Sequence, residues 1–311
     1  MAAPTGTVQT YGAKGIAEDF ENVIYNIAPT DTPFLSALDR VKVTNTLHQW
    51  QTDSLDAAAN NAQIEGDDAA APTFAATGMV NNNTQISTKS VIVSGTQDAV
   101  RKYGRDKELA YQIAKKGKEL KRDMETALCQ NTTTVVGATG TARQLRGLEG
   151  WIATNNSLGA TGAAPNPGSN TAPTDGTQRA FTETLLKDVL QKCFTQGGNP
   201  TMLMVGPAQK QVLSTFTGNS TRFKEAEDSK LNASVDFYKS DFGTLAAKPN
   251  RFQRNRTAFA LDMDYWALGV LRPMTTNELA KTGDAEKRQL LTEYTLVSRQ
   301  EAASGAVRDL T

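Results

Sequence analysis

Asp262 and Asp264, in "LDMDYW", have the Asp-x-Asp spacing that some metal-dependent glycosyltransferases use. On a strand two such carboxylates point to the same side and could share a divalent cation. No Gly-Lys-Ser/Thr accompanies them, so there is no P-loop for a nucleotide. The bland reading is a structural strand end, and it is the stronger one. A second acidic group, Glu65, Asp67 and Asp68 in "EGDD", offers the oxygen ligands calcium takes. It lacks EF-hand spacing and sits among alanines. His48 is the one histidine, with no serine or cysteine nucleophile in context, and reads as an exposed or interface side chain. There is no Gly-x-Ser-x-Gly elbow. "GATGTARQLRG" follows a helix and opens none, so it reads as turns and not as a phosphate cradle. Cys129 and Cys193 lie far apart, each on the apolar side of a predicted helix, and read as buried free thiols suited to a cell interior. The expectation is no catalytic residue, no metal site and no cofactor. The chain is expected not to be an enzyme, with a transferase using Asp262 and Asp264 as the alternative.

Those residues ride on a chain of 311, in which 33 basic and 33 acidic residues balance. A dedicated nucleic-acid binder would carry a basic excess. No apolar run is long enough to cross a membrane, and the start has no signal-peptide pattern. The length suits two or three packed units.

The pattern begins with two short amphipathic helices. In the first, Ile16, Phe20, Val23, Ile24 and Ile27 share a face. In the second, Thr32 can cap and Pro33 suits the first helical position. Together they look like an arm that packs on something else. "KVTNTLHQWQTDSL" and "TQISTKSVIVSG" then read as two strands joined by a polar middle, a long hairpin. A helix follows from Asp106 to Gln130, with Leu109, Ile113, Leu120, Met124 and Leu128 on one stripe. Its opposite face holds Lys115, Lys118, Glu119, Arg122 and Glu125, read as solvated, with Lys115 and Glu119 at helical spacing. The stretch beyond is rich in turns, and Ala160–Thr177 looks like a mobile surface loop. The remainder is a compact unit. It comprises a helix capped at Thr182, a buried "TMLMVG" strand, and a helix from Pro207 with Ala208, Val212 and Phe216 on one face. "SVDFYKSDFG", "TAFALDMDYWALGVL" and "EKRQLLTEYTLVSRQ" add further strands. Strands and helices without a regular βαβ repeat favour an α+β fold.

Between Lys42 and Lys89 there is no lysine or arginine, while Asp53, Asp56, Glu65, Asp67 and Asp68 fall in the same span. An acidic hairpin with so little apolar content is marginal without a surface to lie on.

In order along the chain, "NVIYNIAPTDTPFLSAL", "LLKDVLQKCFTQGGNPTMLMVGPAQKQVLSTF", "SDFG", "LDMDYWALGVLRP" and "LAKTGDAEKRQLLTEYTLVSRQEAASGAVRDLT" resemble the tailed-bacteriophage major capsid protein family. The resemblance implies the tailed-phage major capsid fold: an N-terminal arm (1–41), an extended E-loop hairpin (42–93), a peripheral domain (94–180) with a spine helix (106–130), an axial domain (181–270), and closing strands (271–311) that return to the peripheral domain. It implies a structural subunit that self-assembles, as hexamers and pentamers, into an icosahedral head enclosing double-stranded DNA without sequence specificity. Scaffold, portal and decoration proteins are the further partners it implies, and the scaffold is expected to be a separate protein, since nothing before the arm resembles a long scaffolding segment. No membrane partner is expected. The virion capsid would be its place and the host cytoplasm its site of assembly. An encapsulin-like compartment shell is a second reading of the same fold. The family's E-loop lies across a neighbouring subunit, so Glu65, Asp67 and Asp68 are expected to meet a basic surface there. That surface is either the spine-helix region, beginning with Arg101 and Lys102, or "RFQRNR" with Arg251, Arg254 and Arg256. Some members cross-link through an E-loop lysine; this segment has none, which closes that route.

Overall fold

A computed structural model describes residues 30–68, 74, 76–104, 107–216 and 237–311. The first arm helix lies outside the described residues. The chain runs through α1 (Pro33–Ala37), β1 (Asp39–Lys42), β2 (Leu47–Thr52), β3 (Gly78–Asn83), β4 (Gln85–Ser94) and α2 (Gly95–Ala99) to the long helix α3 (Glu108–Gln130). It continues through α4 (Leu148–Trp151), β5 (Asn155–Ser157), α5 (Glu183–Thr195), β6 (Met202–Val205), α6 (Pro207–Leu213), β7 (Phe237–Ser240), β8 (Gly243–Pro249) and β9 (Ala258–Leu261). It closes with β10 (Trp266–Glu278), β11 (Ala285–Ser298) and β12 (Gly305–Val307).

Two sheets carry the fold, ordered β1-β10-β11-β4 and β5-β12-β9-β6-β8-β7. In the six-stranded sheet the alternation of side chains divides two cores. Met202 and Met204 of β6, with Phe259 and Leu261 of β9, face a core built on Phe34, Leu128, Trp151, Trp266 and Tyr294. Leu203, Val205, Ala258 and Ala260 face the opposite way, onto Leu186, Val189 and Leu190 of α5. With both faces covered, β6 and β9 are apolar at every position. The stripe on α3 works in two halves. Leu109, Ile113 and Leu120 pack on Val91 and Val93 of β4 and on Leu290. Met124, Leu128 and Cys129 enter the main core. Both cysteines are buried and unpaired.

Several expectations change. The hairpin's second strand is not "TQISTKSVIVSG": β2 pairs with β3, whereas β4 runs antiparallel to β11 from Gln85 to Ser94. The switch occurs at Asn82–Thr84, three buried polar residues. The Asn82 side chain donates to the carbonyls of Arg146 and Leu296 and accepts from the Arg146 N–H, and the Thr84 hydroxyl donates to Glu293. These bonds fix the chain as it passes from the hairpin into the sheet. The apolar partner for Val91 and Val93 is then α3. Of the segment 271–311, β12 joins the six-stranded sheet rather than the other one. On α6 Val212, with Phe216 just beyond the helix, packs on the core as expected, but Ala208 is exposed and the fully buried positions are Gln209 and Leu213. The ion pair on α3 is Lys116–Glu119, at 2.7 Å, rather than Lys115–Glu119. Thr32 and Thr182 stand at helix starts without side-chain caps.

Ala160–Thr177 is a closed hairpin and not a loose loop. Ala163 and Thr174 form one bridge, Asn166 and Thr171 another. Its base is held by Asp309, a 2% exposed carboxylate that accepts from the N–H groups of Gly159 (2.9 Å) and Gly176 (2.7 Å). Its tip is held by Asn170, whose amide oxygen accepts from the Thr134 N–H and from Arg146. Glycine is required at the base, because a Cβ on Gly159 would collide with the Thr177 carbonyl oxygen. Asp309→Ala removes the acceptor for two half-buried N–H groups, so a loss of about 1–3 kcal/mol is expected. Urea unfolding measures it, and limited proteolysis should show new cleavage within 160–177.

Candidate assembly surfaces

The base of the β2–β3 hairpin is locked to the body. The Trp50 indole N–H donates to the Ser298 carbonyl at 2.8 Å, and its ring lies 5.6 Å from that of Trp151. His48 stacks beside Trp50 at 5.5 Å, and partial burial lowers its pKa, so it is a neutral packing residue at neutral pH. Beyond Thr52 and before Gly78 the described residues leave the body. Glu65, Asp67 and Asp68 are exposed, around a turn in which the Asp67 N–H donates to the Ile64 carbonyl and Gly66 takes φ +82. Leu55 is 99% exposed, Ile64 79% and Phe74 90%. These large apolar side chains have no cover among the described residues.

The two expected receiving surfaces differ. Arg254 is held by Asp175 at 2.5 Å, and Arg256 by Asp175 and Asp309 at 3.6 and 3.2 Å. The Arg254 guanidinium holds the Asp175 carboxyl below its usual range. Those two arginines fasten the 160–177 hairpin to the body, a role their spacing could not reveal. Arg251 is exposed and, among the described residues, unpaired.

Glu125 departs most from its expected role. It is fully buried, not solvated. Its carboxylate accepts from the N–H groups of Phe34 (2.9 Å) and Leu35 (2.7 Å) at the start of α1, and from Asn250 at 2.7 Å. The residue therefore ties the arm to the long helix. Burial raises its pKa above the ordinary glutamate value, although these bonds oppose the rise. A raised carboxylate favours the fold most below its unfolded pKa, and that advantage fades as pH climbs through the folded one. The stability of the parent relative to Glu125→Gln should therefore fall as pH rises from about 4.5. Urea midpoints of both proteins across pH 4–7 check it.

Asp262 and Asp264 do not form a chelating pair. The backbone leaves the strand and makes a 3-10 turn at Met263–Tyr265. Asp262 is buried and accepts from the N–H groups of Asn199 (3.0 Å) and Asp264 (3.4 Å); Asp264 is exposed. The first carboxylate is a cap for that turn. Among the described residues no three histidine, cysteine or acidic side chains converge on a common point.

The chain is thus an α+β body with a long helix, a rooted hairpin that projects bare apolar side chains, and buried carboxylates held by structural bonds. Solved structures share its fold. The cyanophage A-1(L) capsid asymmetric unit matches with a TM-score of 0.69 at 14% identity, covering 95% of this chain and 97% of that one. The holo-SrpI encapsulin complex from Synechococcus elongatus matches with a TM-score of 0.58 at 10% identity, covering 98% and 96%. The fold is that of the tailed-phage capsid proteins. A curated relative, the major capsid protein of Escherichia phage Phieco32, is 30% identical over 347 aligned positions, covering 99% of this chain and 97% of its own length. Residues 3–311 match the family described as SU10 major capsid protein, and the chain belongs to that family.

Proposed function

We propose that this chain is the major structural protein of a bacteriophage head, forming an icosahedral shell of hexamers and pentamers around double-stranded DNA. The family match over residues 3–311 is the observation that carries the reading. A net charge of zero suits a wall that contains DNA without gripping it. The hairpin at 47–83 is the E-loop, the four-stranded sheet with α3 is the peripheral domain, and the six-stranded sheet with α5 and α6 is the axial domain. Glu65, Asp67 and Asp68 meet a basic surface on a neighbouring copy. Of "RFQRNR" only Arg251 is free to take part; Arg254 and Arg256 have partners within the chain. Scaffold and portal would be separate proteins, and assembly would take place in the host cytoplasm. Electron microscopy of the purified chain, with and without a scaffold protein, tests the function. Closed particles of uniform diameter are expected. A lone monomer at all concentrations, with a divalent-metal-dependent transferase activity lost in Asp262→Ala, would overturn it. The encapsulin fold neighbour has the same body, and particles that retain protein cargo and no DNA in infected cells would favour that reading instead.

A further inference from the structure

Helix α3 carries five cations and four carboxylates, so its composition is close to neutral. The fold leaves none of those acids free. Glu108 is buried, and Glu125 is buried against α1. Glu119 is held by Lys116 at 2.7 Å, and Asp123 by Lys89 of β4 at 2.6 Å. Four cations are left over: Lys115, Lys118, Lys121 and Arg122. Among the described residues none of the four is in an ion pair. The three lysines are exposed. The Arg122 guanidinium lies over the Phe252 ring at 5.5 Å, and its buried Nε has no hydrogen-bond partner among the described residues.

Lys115, Lys118 and Arg122 follow at i, i+3 and i+7, so they form one row about 10 Å long. The row faces away from the stripe of Leu109, Ile113 and Leu120 that packs on β4. It is continued on both flanks. Phe252 brings in its neighbour Arg251, exposed and unpaired, and Lys121 shares a groove with Arg40 and Lys42 of β1. β1 also begins with an exposed acid, Asp39, which lowers the excess by one. Zero net charge hides this face, because balancing acids lie in the span between Lys42 and Lys89, which has no base.

A protein partner would have to bring carboxylates into register with the row. A nucleic-acid duplex offers a negative charge about every 1.7 Å, whatever its sequence. Lysines, as point charges on flexible stems, suit phosphates contacted without base reading. We infer that the exposed face of α3 is the surface through which this chain meets double-stranded DNA, by phosphates alone, and that α3 therefore lies on the inner side of the shell. The inference rests on the shell reading above and adds the contact surface and the sidedness of the wall. A few unpaired lysines per copy give weak, salt-sensitive contacts that leave the DNA free to move.

Two measurements test it. Heads filled with DNA and heads emptied of it are treated with a small acetylating reagent, and each lysine is scored by mass spectrometry. Lys115, Lys118 and Lys121 should be shielded in full heads and react freely in emptied ones. Equal reaction in both overturns the inference, because the face then carries no DNA. Shielding in both also overturns it, because another copy or another protein then covers the helix. In either case the intact heads leave the shell reading standing; a chain that forms no heads overturns both. The second measurement is binding of the full chain to two duplexes of unrelated sequence. Lys115→Ala, Lys118→Ala and Lys121→Ala together should weaken both alike and flatten the slope of log affinity against log salt by about 3. Alanine keeps the helix, which circular dichroism checks. An unchanged slope overturns the inference.

Discussion

A chain carrying Glu65→Lys, Asp67→Lys and Asp68→Lys folds as the parent does and does not assemble. The fold is spared because the three carboxylates are exposed and, among the described residues, their one bond is that of Asp67 accepting from the Asp68 N–H. Surface changes of this kind usually shift stability by no more than about 0.5 kcal/mol. On the docking proposed above, assembly is lost because the hairpin would then present cations to a basic neighbour. Like charges brought together at an interface cost several kcal/mol, and every copy in a closed shell carries the same penalty. Thermal unfolding of the free subunit should superimpose on that of the parent, while electron micrographs should lack particles. Normal particles at normal yield would sink the docking role of these residues.

Arg308→Ala has the largest expected effect on the subunit itself. Glu149 is 1% exposed, and its carboxylate meets the Arg308 Nη1 at 2.5 Å and the Thr257 hydroxyl at 2.7 Å. Arg308 also donates through Nε to Asn156 (2.7 Å) and through Nη2 to the carbonyls of Glu149 and Ile152. Alanine leaves a buried carboxylate with one neutral partner and takes the Arg308 donor from the Glu149 carbonyl, while the Ile152 carbonyl keeps the Asn156 amide. Breaking such a pair costs about 3–5 kcal/mol. A domain's whole stability is about 5–15 kcal/mol. Urea unfolding should show the midpoint collapse. Arg308→Lys should fall between, since an ammonium keeps the charge but cannot reproduce the fork.

Periodic elements are legible in the amino-acid pattern alone. The stripe on α3 and the unbroken apolar run of β6 name their own partners: a helix buried on one side and a strand covered on both. The hairpin's pairing is not legible. β3, "GMVNNN", has no apolar alternation to announce it, and its buried Asn82 is satisfied by carbonyls supplied from Arg146 and Leu296. Glu125 resembles its exposed neighbours because its role depends on the Phe34 and Leu35 amides, 91 and 90 residues earlier. Arg254 and Arg256 resemble a free basic patch because Asp175 and Asp309, which hold them, are distant in sequence. Asp262 and Asp264 look paired because the rule of alternation assumes a strand where the backbone turns. The acidic character of the hairpin is plain from residue types; the exposure of its apolar side chains emerges only from the fold.

Strand β12 lies between β5 and β9, and the Gly159–Asp309 bond that follows it spans 150 residues of chain. During synthesis, the six-stranded sheet therefore has a missing slat until residues 305–310 have emerged, and the buried Glu149 waits for its counter-ion just as long. A product that stops short of that point exposes two open strand edges and is a substrate for proteases and aggregation rather than for the shell.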